Sequence, residues 1–268
     1  MSKLYSKSIE KEVLITVKAY PNPSLSHQEA SCIAGISRDG EWIRLYPVRY
    51  RKLRQNLKPR KYDIIKMIIK KYNKDPRPES FFPEENTFEK IGYLDTSNNW
   101  RERKEWILPF ASNSMCEIQS LRKKIKKSLG IFQPKEVTDF IIEDDDTDWK
   151  PYQIEIMKQA SLFDKLLTPL EKIPFNFKYR YMCNDRCCRG HTQTIVDWEI
   201  HELYRNSRDK HEDDIKSIKK DIRNKFLNEL CGPDKDTYFF VGDMRQHLGS
   251  FIVLGIFWPQ KEIQQGLF

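Results

Sequence analysis

Cys183, Cys187, Cys188 and His191 fall within nine residues, in the spacing Cys183-x3-Cys187-Cys188-x2-His191. Packing alone rarely demands so dense a set of soft ligands, whereas zinc takes thiolate sulfur and imidazole nitrogen in a tetrahedron and tolerates spacings of two to four residues. The segment is expected to hold zinc, and the last third of the chain to fold around it. Adjacent cysteines point in different directions, so two ligand sets are open: Cys183, Cys188 and His191 with Cys187 packing elsewhere, or Cys183, Cys187 and His191. The remaining ligand could be the spare cysteine, His201, Cys231 or His247. His247 is favoured because it lies between two apolar strands and would tie the cluster to their sheet. A closed site of this kind supplies folding energy rather than catalysis. The His-x-Glu with Pro-Cys-x-x-Cys pattern of zinc deaminases is absent, as is His-Glu-x-x-His, which leaves Asp197 and Glu199 as helix surface or cap residues.

The other two cysteines, Cys32 and Cys116, read as ordinary buried thiols; Cys32 sits in the apolar run Ser31-Cys32-Ile33-Ala34. Free thiols beside a metal motif indicate a reducing compartment. No apolar run approaches the roughly 18 residues that cross a bilayer. The first twelve residues are broken by Lys3, Lys7, Glu10, Lys11 and Glu12, unlike a signal peptide. A cytoplasmic location with no membrane association is expected.

At 268 residues the chain suits two modest cores, and its pattern predicts an α+β fold. Residues 12–20 and 30–37 read as strands, and Arg38-Asp39-Gly40 as a tight turn into a further strand from Glu41 to Tyr46. With another strand at 62–72, these make a small barrel-like module over residues 1–95. From Asp75 the prolines indicate an irregular surface connection. Residues 96–174 form a helical middle: a helix over 113–128 capped by Ser112 or Asn113 and closed by Gly130, a short strand at 137–142, an acidic loop (Glu143 to Asp148), and a helix over 151–167. Residues 175–268 form the zinc-stapled α+β module. It holds the alternating aromatic strand 175–181, helices at 194–205 and 215–230, and a terminal hairpin of strands 238–241 and 251–258.

A net charge of +8 favours a polyanionic partner, DNA or RNA. The basic residues cluster, with Arg49, Arg51, Lys52 and Arg54 in one run and Arg122 to Lys127 in another. On a strand, Trp42, Arg44 and Tyr46 share one face, a spacing that offers bases a stacking platform. In the opposing reading Ile43 and Leu45 enter the core while Trp42 and Tyr46 pack beneath a neighbouring loop. The function expected is zinc-containing nucleic-acid binding within a prokaryotic multi-protein system. Two alternatives stand beside it. One is a metal-dependent nuclease, for which Glu102-Arg103-Lys104 and Asp148-Trp149-Lys150 supply bare acid-x-Lys triplets. The other is an interaction subunit docking an acidic protein partner.

Overall fold

The computed structural model describes residues 7–24, 27–73, 75–163 and 168–262, and its architecture is mixed α+β. β-Branched residues are frequent in the first strand, β1 (Ile9–Lys18), and in β5 (Asp63–Lys71), while β3 (Gln28–Ser37) is built mostly of small residues around Ile33 and Ile36. β2 (Asn22–Ser24) is a short flap on β3, and β4 (Trp42–Val48) returns from β3 through Asp39-Gly40, where Gly40 has φ +88°. β6 (Ser80–Pro83) lies parallel to β4 and antiparallel to β5, and β5 also pairs with β1. The path β1-β3-β4-β6-β5 therefore closes on itself as a five-strand barrel-like sheet, with β7 (Glu89–Tyr93) appended to β5. The barrel is filled by Val13, Ile15, Ile33, Ile43, Leu45, Ile65, Met67 and Ile69.

The next segment is as much strand as helix. After α1 (Ser97–Ile107) and the two-residue β8 (Ala111–Ser112) comes α2 (Met115–Ile125). Ser114 caps α2, its hydroxyl accepting from the Glu117 amide at 3.0 Å. The helix ends at Lys126 in the left-handed region. Gly130, expected to close it, instead lies in β9 (Leu129–Phe132), where a Cβ would stand 2.9 Å from Ile118. The long β10 (Pro134–Asp144) and α3 (Pro151–Phe163) follow; the end expected for that helix, 164–167, lies outside the described residues. The proline-rich stretch after Asp75, expected to be irregular, contains β6 and β7.

β11 (Phe175–Cys183) buries every second residue and joins β10 and β12 (His191–Thr194) in a three-stranded sheet. α4 (Trp198–Lys210) and α5 (Ile215–Arg223) cover it, the latter continuing as a π-helical turn over Asn224–Glu229. Phe140, Phe177, Tyr179, Ile200, Ile218 and Phe239 are fully or almost fully buried there. The hairpin β13 (Tyr238–Asp243) and β14 (Phe251–Phe257) joins β9 and β8 in a four-stranded sheet, order β14-β13-β9-β8. This sheet lies on the outside of the barrel: Leu14, Ala34, Ile36 and Ile64 pack with Leu129, Ile131, Phe240 and Leu254. The strands beneath it are buried on both faces.

That covering corrects the stacking platform. Ile43 and Leu45 enter the barrel as the opposing reading has it, and Arg44 on the other face is sealed at 2% exposure. Trp42 is half-buried, its ring edge-on to Phe240 at 6.3 Å. Truncating Trp42 to Ala should lower stability by about 2–3 kcal/mol, below the roughly 3–5 of a fully buried aromatic. An unchanged urea midpoint would return Trp42 to the surface.

A second junction joins β1 to α4. The Tyr20 amide donates to the Val196 carbonyl at 2.9 Å, Lys61 reaches Asp197 at 2.7 Å, and His201 stacks on Tyr20 at 4.1 Å. Burial lowers the His201 pKa from 6.5 to about 4. The folded value lies below the unfolded one, so the protein is favoured above about pH 6.5 and loses up to about 3 kcal/mol as pH falls through 4. His201→Phe, which keeps the stacking face, should flatten stability between pH 7 and 5 relative to the parent protein; parallel pH profiles would remove His201 from the acid response.

Candidate metal centre and basic cleft

β11 ends at Cys183 and β12 begins at His191, so the cysteine motif is the turn of a hairpin, and its backbone hydrogen bonds fix where the sulfurs point. The Asp185 amide donates to the Cys183 carbonyl at 2.9 Å and the Cys188 amide to the Asp185 carbonyl at 3.2 Å. Gly190 takes φ +92°, a conformation that a side chain disfavours, and lets the chain re-enter the sheet at His191. Cys183 and His191 end up side by side, with Cys183 Sγ 3.4 Å from His191 Nε2. The fourth member comes from α2. Cys116, in its first turn, puts Sγ 3.6 Å from Cys183 Sγ and 3.6 Å from His191 Nε2. With Cys188, the four ligand atoms all lie within 4.8 Å of one another, a group that could hold a metal ion.

The surroundings of the group favour ligation. Burial opposes ionisation of Cys188, yet amides of Cys183 and Gly190, each 3.4 Å from its sulfur, and the neighbouring thiols bring its pKa below the usual thiol value. Such N–H···S bonds steady a thiolate and orient it. Burial lowers the His191 pKa and so keeps the ring neutral, the form that ligates. Cys116 goes the other way: burial, then the neighbouring sulfurs, push it up to about 12. A cation among these sulfurs would relieve the repulsion that opposes ionisation of Cys116.

Of the five residues the sequence offers as ligands, Cys183, Cys188 and His191 are together. Cys187 is exposed, its amide bonded to Asp185 Oδ1 at 2.8 Å, because neighbouring residues in the turn face opposite ways. His247 is exposed in the turn between β13 and β14 and is not in the group. The other two candidates are also elsewhere: His201 against Tyr20, and Cys231 with its thiol on the Phe226 carbonyl. Cys116, read from sequence as an ordinary buried thiol, is the member of the group that was missed. It lies 67 residues before Cys183, so no spacing rule reaches it.

The basic run has a different setting. Arg44 is inside, donating to Ser128 Oγ at 3.0 Å and to the Ser128 carbonyl at 2.8 Å, 3.7 Å from Asp243. A contact with phosphate is closed to it. Arg51 pairs with Glu29 at 2.9 Å and is largely covered. Arg49, Lys52 and Arg54 line an open cleft of about 850 Å³ whose other walls include Pro47, Leu53, Leu57 and Phe82. Arg49 is exposed although paired with Glu85; Lys52 and Arg54 have no carboxylate partner among the described residues. Tyr46 faces a neighbouring pocket of about 600 Å³, and His27 lines both. The second basic cluster is split: Arg122 is tied to Asp243, while Lys123, Lys124 and Lys126 are exposed at the end of α2. No helix among the described residues is long and apolar enough to cross a membrane.

Residues 111–268 match the family described as Domain of unknown function (DUF8757), and residues 9–109 match Domain of unknown function (DUF8758). The first match spans more than half of the chain, which belongs to that family; all four members of the Cys/His group lie within it. No curated protein matches the chain.

Cobalt(II) titration of the metal-free protein should give one tetrahedral, thiolate-bound site per chain. Cys116→Ser should weaken it at least tenfold, since even the loss of an outer-shell partner costs about 10–100-fold, while Cys187→Ser and His247→Ala leave it intact. A spectrum sensitive to Cys187 and indifferent to Cys116 would assign the wrong sulfur.

Proposed function

We propose that this family member is a zinc-stapled protein that binds single-stranded nucleic acid in the cleft lined by Arg49, Lys52 and Arg54. Zinc is the metal of the reading because of the donor set and its dimensions. A zinc tetrahedron with bonds of about 2.3 Å to sulfur and 2.0–2.1 Å to nitrogen has edges of roughly 3.8 Å between sulfurs and 3.6 Å from sulfur to nitrogen. The separations of 3.6, 3.4 and 3.6 Å among Cys116, Cys183 and His191 fall close to those edges. Three thiols and an imidazole fill the coordination sphere, which supports a folding role and leaves no place for a hydrolytic water. The ion would lock α2 to the β11–β12 hairpin.

The observation that carries the nucleic-acid reading is the cleft itself. Cations on its rim and apolar surface on its walls (Leu53, Leu57, Phe82) match the two halves of a single strand, charged backbone and flat bases. The exposed lysines at the end of α2 flank Ile125 but lie outside the cleft.

Binding of a fluorescent oligonucleotide should weaken steeply with salt, and neutralising Arg49, Lys52 and Arg54 together should reduce the slope of log K against log salt by about 2, at roughly 0.7 per phosphate contact. Neutralising Lys123, Lys124 and Lys126 should leave the slope within about half a unit of the parent value, less than one such contact. The cleft is rejected if the first variant keeps the parent slope.

A further inference from the structure

The 600 Å³ pocket next to the cleft sits where the two family-matched segments meet, with Tyr20, His27, Arg44, Tyr46 and Arg77 from one side and Asp243, Arg245, Ile252 and Leu254 from the other. Its volume is that of a small-molecule site rather than of a packing defect. Its polar groups are graded from floor to mouth. At the floor the guanidinium of Arg77 is held by Asp75 at 2.7 Å and by the Asp243 carbonyl at 3.0 Å, and Arg44 is spent on Ser128. Asp243 Oδ2 takes Arg122 at 2.5 Å, while Oδ1 has no hydrogen-bond donor among the described residues and only the guanidiniums of Arg44 and Arg77 at 3.7 and 4.0 Å. With Glu79, which accepts from Ser128, the floor sets three guanidiniums against three carboxylates and offers an anion no net positive charge. At the mouth the sign changes: Arg245 is exposed, lies 5.4 Å over the ring of Tyr72, and has no carboxylate partner among the described residues. Between floor and mouth, the aromatic pair His27–Tyr46 (5.3 Å, edge to face) stands with the aliphatic Ile252 and Leu254 in the lining.

An occupant that fits this gradient has an anionic end held outside, at Arg245, and a flat, uncharged ring able to donate hydrogen bonds within. We infer that the pocket takes one nucleotide unit, its phosphate on Arg245 and its base in the slot between Tyr46 and Leu254. This rests on the nucleic-acid reading of the adjoining cleft, which it completes by supplying an end pocket for one base of the bound strand. His27, common to both linings, marks the point of entry.

The test titrates the intact protein with nucleoside 5′-monophosphates, the matching nucleosides and inorganic phosphate, following the ¹H–¹⁵N spectrum and heat. Monophosphates should bind at least tenfold tighter than either fragment, with shifts at Tyr46, Gln246 and Leu254. Arg245→Gln, a change at an exposed position, should reduce monophosphate binding about tenfold and bring it to the level of the nucleoside. Neutralising Arg49, Lys52 and Arg54 should leave it unchanged. The inference is overturned if phosphate alone binds as tightly as the monophosphate, or if Arg245→Gln binds like the parent. Oligonucleotide binding with the expected salt slope but no monophosphate binding would sink the pocket and spare the cleft. Monophosphate binding in a protein that ignores oligonucleotides would do the reverse.

Discussion

A guanidinium shut away from water at Arg44 sets terms that much of this fold has to meet. A buried charge is tolerated only when it is paired and its donors are satisfied, and removing one partner of such a group costs about 3–5 kcal/mol. Around Arg44 the partners come from distant parts of the chain. Ser128 accepts from it twice and in turn donates to Glu79, through Oγ at 2.6 Å and its amide at 2.8 Å. Asp243 lies beside it and is shared with Arg122 and Arg77, and Arg77 is held by Asp75. Three guanidiniums thus face three carboxylates, drawn from β4, the Asp75–Glu79 loop, the end of α2 and the end of β13. The set closes only when the barrel and the four-stranded sheet bring Arg44, Arg77 and Asp243 together. Gly242 belongs to the same constraint, since a Cβ there would stand 2.9 Å from the Arg44 guanidinium.

The charged lattice and the Cys/His group do complementary work on α2. One end of the helix presents Cys116 to the β11–β12 hairpin, and its last turn presents Arg122 to Asp243. The helix therefore couples the three-stranded sheet to the barrel seam, with soft ligands at its start and an ion pair at its end.

Local pattern made much of this legible. Asp39-Gly40 reads as a turn because it needs φ above zero, and Gly40 has it. The alternation from Phe175 to Cys183 reads as a strand with one buried face, and does bury every second residue. The dense cysteine turn reads as a ligand site, and three of its members converge. What failed was long-range. Cys116 has no sequence relation to the cluster and joins it only because α2 docks on the hairpin. The period-2 rule puts Arg44 on the face opposite Ile43 and Leu45, but it cannot say that a second sheet covers that face. The same covering turned Trp42 from a stacking platform into a packing contact.

That failure also explains why the basic run divides as it does. Arg44, Arg49, Arg51 and Arg54 look equivalent in sequence, yet the covering sheet reaches only as far as the strand. Arg44 lies in the covered part of β4 and becomes structural. Arg49 and Arg54 lie after the strand ends at Val48, each just before a short 3₁₀ turn (Tyr50–Lys52 and Gln55–Leu57), and Arg51, in the first of these turns, is claimed by Glu29. Charge density along the chain thus overstates the charge available to a polyanion. In the folded chain Arg54 is exposed, Lys52 is half-buried and Arg49 is in competition with Glu85, and this is what the run offers a polyanion.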